Sequence, residues 1–433
     1  MAIRDLEAIT RDFPEYAKQV EKHFKRNFIL VALDSAFFTF STALLSQDTV
    51  LPAYLNNLTS NPMLIGLIPA IFYLGYFLLQ IISAYINQNT PKRKRFILII
   101  AISERVGIFL IAISAQMTSK FSNSTVILFF FLAYSLYSST MGLIMPAYSD
   151  FVSKAIYKKR GLLYGINQAL GGVIGFVASL VATRILASRD FPENFRAIFW
   201  VSFAFSFISP IIISNFKETE FPIQPKKKNV SEFIKNIPVI IRRNPNLRKY
   251  VLTRQLIGLA MMGHAFFTIY AIQVFDLSGS MLGVFTMAIL LSQSLSGILW
   301  GFIGDKFGYK KILIIGSILL FLEGLFALTV NHPLGFLAIS GFIGSIYSAI
   351  FISHPNLIFE IAPPEETSLF IGLSNSLIAP ITALAPILGG KIIDSLGYPS
   401  LFLVICAAAF GAFIISVFVF DEPRDNKKTV SRV

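Results

Sequence analysis

Twelve apolar runs, each long enough to cross a hydrocarbon layer as a helix, follow one another along this chain with little between them. They lie near 27–54, 63–87, 96–117, 125–149, 161–186, 196–215, 251–275, 281–303, 312–331, 335–360, 369–394 and 398–420. A helical span takes about 20 residues. Backbone in lipid must satisfy its own polar groups, which restricts runs of this length to helices. The expected fold is therefore an all-α membrane protein of twelve transmembrane helices. The charge content agrees: 14% of the 433 residues are charged, against about 25% in soluble domains.

Lysine and arginine fix the orientation, because cytosolic connections retain them. Most of the 37 basic residues fall on alternate connections, which places both termini in the cytosol and the chain in a plasma (inner) membrane. The net charge of +13 is spent on this topology, so no nucleic-acid partner is expected. The first 26 residues lack the apolar core and cleavage site of a signal peptide and read as a cytosolic amphipathic segment. Cys406 is the single cysteine, so neither a disulfide framework nor a cysteine-rich metal site is expected, and no cofactor. There is no P-loop, His-Glu-x-x-His or Gly-x-Ser-x-Gly. The chain is read as a non-enzyme that ATP does not drive directly.

One connection exceeds the others. Residues 216–250 separate a bundle over 27–215 from a second over 251–420, with a short cytosolic tail at 421–433. Within it Phe233, Ile234, Ile237 and Ile241 recur at helical spacing and predict an interfacial helix. The two halves echo each other: "NPMLIGLIPAIFYLG" enters the second run and "SGSMLGVFTMAILLS" the eighth. Such a duplicated six-helix unit is one recognised transporter architecture.

Between runs eight and nine lies "GFIGDKFGYKK", with Gly301, Asp305, Lys306, Gly308, Lys310 and Lys311 in a predicted cytosolic hairpin. The pattern G-x-x-x-D-K-x-G-x-K-K resembles the signature loop of the major facilitator superfamily (MFS). The loop between runs two and three is a degraded copy, with Ala84, Gln88 and Pro91 where the second has Gly301, Asp305 and Gly308. "PAYSDFVSKAIYKKRGLLYG" and "APILGGKIIDSLGYPSLF" resemble the family's passages between runs four and five and between eleven and twelve. The resemblance implies two pseudo-symmetric six-helix bundles and a secondary transporter working by alternating access. It also implies a central cavity lined by runs one, four, seven and ten.

Ionisable groups inside a membrane cost about 2.5–3.5 kcal/mol on insertion scales, which makes each a functional candidate. Asp34, Glu104 and Arg105 fall in one layer, about 10–14 Å in at 1.5 Å per residue. With His354 they are the candidates for proton or ion coupling. Asp34, Ser41 and Asp48 are spaced by seven and predict a polar stripe on run one. The cavity implied by the resemblance would draw on Ser41, Asp48, Tyr134, Tyr137, Ser138, Gln255, His264, Thr268, Tyr347 and Ser348, with Tyr164, Asn167 and Gln168 from run five. Glu323 reads as a packing residue. A cytosolic gate is expected from the signature-loop residues: Asp305 against Arg160, and Lys92 or Arg93 against Glu365 or Glu366. The expected partners are one small solute, the lipid bilayer, and protons or sodium, with the protein acting as a monomer. The alternative is a membrane sensor or scaffold that keeps the fold without transporting.

Overall fold

The computed structural model of the protein describes residues 13–89, 92–156, 160–220, 241–362 and 367–423, and among these it contains helices and no strands. The helices are α1 (Pro14–Ala43), α2 (Val50–Asn56), α3 (Pro62–Asn89), α4 (Arg93–Met117), α5 (Asn123–Ala155), α6 (Arg160–Ser188) and α7 (Glu193–Ser214). They continue as α8 (Pro245–Ala260), α9 (His264–Phe275), α10 (Met281–Phe307), α11 (Tyr309–Thr329), α12 (Gly335–Ile361), α13 (Thr367–Leu396) and α14 (Tyr398–Ile414). Eleven spans among the described residues are long and apolar enough to cross a membrane. The protein is an integral, multi-pass membrane protein.

The first predicted run is not one helix. Its polar stretch Ser46-Gln47-Asp48-Thr49 separates α1 from α2. Pro52 gives the reason. A proline cannot donate to the carbonyl four residues back and its ring crowds that oxygen. The carbonyl is that of Asp48, and it accepts instead from Thr268 Oγ1 at 2.9 Å. The expected stripe Asp34–Ser41–Asp48 thus ends with its helix, and Asp48 stands beyond it. At the other end, α1 runs without interruption from the amphipathic segment into the membrane. The predicted interfacial helix around 233–237 lies outside the described residues.

The seventh run is also divided. A short 3-10 turn, Met261–Gly263, separates α8 from α9, so His264 is the first residue of a new helix. In the signature stretch, Gly301 through Lys306 belong to the end of α10 rather than to a hairpin. Gly301 has nothing within 4 Å of where a side chain would begin, so close approach does not explain it. The reversal happens at Gly308, whose φ of 97° is left-handed, a conformation that costs other residues roughly 1–2 kcal/mol.

The chain divides into two compact units. The first gathers residues 1–44, 74–178 and 195–235, the second 45–73, 179–194 and 236–433. Small residues set the packing inside each, as expected where lipid removes the hydrophobic drive between helices. In the first unit a Cβ on Gly107 would stand 2.8 Å from the Tyr137 backbone nitrogen, bringing α4 onto α5. In the second, Gly344 meets the Ile289 carbonyl of α10. Ser292 Oγ donates to the Gly341 carbonyl at 2.6 Å and Trp300 Nε1 to that of Ser345 at 3.0 Å, which pins α10 to α12. Leu295, Ile298 and Phe302 on α10 stay exposed, as lipid-facing residues do.

Candidate functional site

The expected acid layer is present in the first unit, and within it Arg105 pairs with Glu104 rather than with Asp34. Arg105 Nη1 donates to Glu104 Oε2 at 2.7 Å. The same guanidinium donates through Nε to the Ser206 carbonyl at 3.0 Å and through Nη1 to that of Ala101 at 3.2 Å. Asp34 takes neutral partners instead. Tyr148 Oη donates to its Oδ2 at 2.7 Å and Ser209 Oγ to its Oδ1. All three ionisable residues are buried. The Glu104–Arg105 bond lies within α4, and the Arg105 bond to the Ser206 carbonyl ties α4 to α7. Ser41 points the same way: its Oγ lies 2.8 Å from that of Ser202 on α7. The polar face of α1 therefore packs on α7. Tyr134 and Tyr137 stack on one another, 5.9 Å between centroids, and Ser138 bonds to the Ser135 carbonyl of its own helix. Asn167 leaves its buried Oδ1 without a partner.

The second unit holds a denser group. Tyr347 Oη on α12 donates to Asp48 Oδ1 at 2.8 Å, and Thr49 and Thr286 share a 2.5 Å hydroxyl contact. His264 sits edge-on to Tyr347, with ring centroids 5.2 Å apart. Its Nε2 lies 3.3 Å from Glu323 Oε1. Glu323 is 0% exposed and His264 3%, so Glu323 is buried against His264 rather than peripheral. Neither group completes a well-directed hydrogen bond, and all four of their polar atoms are buried. Asp48, Tyr347, His264 and Glu323 form one connected polar group, contributed by the 44–49 break, α12, α9 and α11.

A third feature lies one helix back along the same span. Arg254, on α8, is 7% exposed. It follows the anchor Lys249, whose Nζ pairs with Asp421 at 2.7 Å. Arg254 falls near the start of the predicted run 251–275, and the structure buries it. Its guanidinium stands beside Tyr250, His354 and Tyr73. Tyr250 Oη and His354 Nδ1 are hydrogen-bonded. Gln255 Nε2 donates to the Leu377 carbonyl at 2.9 Å. The Ser348 hydroxyl is buried without a partner.

At the ends expected to be cytosolic, several expected gate residues are engaged locally. Lys92 pairs with Glu220 at 3.1 Å and Arg93 with Asp150 at 2.6 Å. Glu218 accepts from the Arg93 and Lys94 amides at 2.7 and 3.0 Å, so the start of the linker caps α4. Burial lowers the Lys154 ammonium from its usual value, with Asp150 beside it opposing the shift. Asp305 accepts from Tyr309 Oη at 2.6 Å. Lys306 lies over the Phe302 and Phe307 rings, Lys311 over Phe307, and Lys310 Nζ reaches the Val417 carbonyl at 3.4 Å. The side chains of Arg160, Tyr164, Gln168, Glu365 and Glu366 fall outside what the structure describes.

Comparison with known proteins follows the same lines. The solved nucleoside transporter NupG superposes with a TM-score of 0.68 at 14% identity, over 90% of this chain and 98% of that one. A D-xylose-proton symporter does so at 0.70 and 15%, over 93% and 99%. Among curated relatives, the quinolone resistance protein NorA of Staphylococcus aureus is 30% identical over 151 residues, 35% of this chain and 38% of that protein. An MFS-type transporter of Gibberella moniliformis is 25% identical over 270 residues, 60% of this chain and 61% of its own length. The chain thus spans under two thirds of the curated relatives it matches. The profile of the Major Facilitator Superfamily matches residues 30–292 and 256–433, in two overlapping stretches that together cover nearly every span. The chain belongs to the Major Facilitator Superfamily.

Proposed function

We propose that this protein is a secondary active transporter that moves one small solute by alternating access and couples that movement to protons. The observation that carries this reading is the His264–Glu323 pair, 3.3 Å apart and buried inside two spans. An imidazole and a carboxyl group at that distance can hold one proton or two. Each change alters the net charge in a place where charge is costly. The groups facing the pair are Asp48, Tyr347 and the Cys406 thiol. Through Asp48 and Tyr347 the pair adjoins the break between α1 and α2, a segment able to change its hydrogen bonding.

This reading moves the coupling role away from Asp34 and Glu104. Asp34 is already held by two hydroxyl donors, and Glu104 fixes an arginine that also binds two carbonyls. Those contacts suit a helix lock. His354 has an arginine beside it rather than an acid. A ring nitrogen in the His264–Glu323 pair suits a proton better than sodium, which prefers oxygen. One of the structural neighbours is named as a proton symporter, which is in keeping with the reading at the level of the fold.

The test uses the purified protein in proteoliposomes that enclose a pH-sensitive dye. With an imposed proton gradient, one class of a solute library should collapse the gradient, and Glu323→Gln should abolish the effect. A protein that moves neither protons nor any solute would instead be the sensor or scaffold.

A further inference from the structure

The proton-coupled reading does not use Arg254. An arginine keeps its charge under all ordinary conditions and carries five N–H donors with no acceptor. Buried inside a membrane span, it is expected to pair with an acid or to bind backbone carbonyls. Arg254 does neither. Its Nε and Nη1 are buried without a hydrogen-bond partner, and among the described residues it enters no ion pair. Arg105 provides the contrast within the same protein. It is equally buried, and it holds one carboxylate and two carbonyls.

The neighbours of Arg254 supply no carboxylate. The Tyr250 hydroxyl is within hydrogen-bonding reach of the guanidinium and of His354 Nδ1, yet Nε and Nη1 remain without a partner. If that hydroxyl is the donor, the His354 proton sits on Nε2. That atom too is buried without a hydrogen-bond partner, with Asn375 close to the ring. Tyr73 approaches from α3, and its hydroxyl faces Tyr347 and Gln47. The side of α8 around Arg254 therefore offers surplus donors and a fixed positive charge.

We propose that Arg254 anchors the transported solute, and that the solute is a small organic anion bearing a carboxylate or phosphate-type group. Such a group is acceptor-rich and supplies what Nε and Nη1 lack. Charge-assisted bonds of this kind are about twice as strong as neutral ones. Tyr250, His354 and Tyr73 frame the anion, and the neighbouring His264–Glu323 pair provides the proton that travels with it. The inference rests on the transporter reading for the word "transported", while the anion site stands on Arg254 alone.

The experiment measures thermal unfolding of the full-length protein at constant ionic strength with inorganic phosphate, succinate and benzoate. Size-matched benzamide and benzylamine serve as neutral and cationic counterparts. At least one anionic probe should stabilise the wild type saturably and the counterparts should not. Arg254→Gln should weaken that probe's apparent affinity at least tenfold, with Arg254→Lys intermediate. Ligand-free Arg254→Met should unfold at or above the wild-type temperature, because an unpaired buried charge does not support the fold. Stabilisation only by benzamide or benzylamine, unchanged in Arg254→Gln, would overturn the proposal. So would a ligand-free Arg254→Met that unfolds clearly lower while no anion binds, which would make Arg254 structural. The proteoliposome assay separates the two readings. Proton flux driven only by neutral or cationic solutes removes the anion site and keeps the transporter. Saturable anion binding without flux of any kind keeps the site and removes the transporter.

Discussion

Glu323 on α11 faces His264, the first residue of α9, at 3.3 Å, and both are shut off from solvent. Glu323→Gln keeps the shape and removes the titrating carboxyl. Gradient-driven accumulation should fall to the level of equilibration, while exchange of solute across a membrane without a gradient continues. Counterflow and uptake in proteoliposomes measure the two separately. Loss of both together would place Glu323 in solute binding instead.

Arg105→Ala should be among the most damaging single changes in the first unit. It strands Glu104, whose Oε1 already has no partner, and frees the Ser206 carbonyl. Removing one member of a buried pair costs about 3–5 kcal/mol. Asp34→Asn keeps two hydroxyl neighbours and should cost about 1 kcal/mol or less, with accumulation retained. Denaturation in detergent ranks the two. A normal midpoint for Arg105→Ala would contradict the helix-lock role.

Glycines at the two ends of one short stretch should respond in opposite ways. Gly308→Ala forces a side chain into φ 97° and should destabilise by about 1–2 kcal/mol. Gly301→Ala lies inside α10 with open space around it and should be neutral or gain up to about 1 kcal/mol. Thermal midpoints of the two variants settle the order.

Glu218 caps α4 through two amides. Glu218→Ala should cost about 1 kcal/mol, as loss of an N-terminal cap does, and the loss should shrink at high salt. Parallel unfolding curves at low and high ionic strength check it.

Topology can be checked without a substrate. Reporter fusions at Asn57 and Lys228 should report opposite sides of the membrane. The same side for both would reject the alternation of charge on which the twelve-run reading depends.

The spans were legible because a hydrophobic run of about 20 residues has almost no other stable use. The family was legible because "GFIGDKFGYKK" stands at a predicted turn. The breaks were less so. Pro52 is visible in the sequence, but the rescue of the Asp48 carbonyl by Thr268 needs the fold. The acid layer of Asp34, Glu104 and Arg105 follows from depth alone, whereas its pairing depends on how each helix is rotated. The same dependence hides Glu323, which looks peripheral until α11 is turned toward His264. Arg254 is hidden for another reason: five residues past Lys249, it counts as flank or interior according to where α8 begins.

The 3-10 turn Met261–Gly263 has a mechanical meaning. It divides a single span into two arms, one carrying Arg254 and the other beginning at His264. A 3-10 turn inside a longer helix often marks a hinge, and a small change in its winding rotates one arm against the other. Signals between a guanidinium and an imidazole on such a span need no relay of side chains through the bundle. If the joint does wind and unwind, a ligand at Arg254 and a proton at His264 would each change the other's affinity by the same factor.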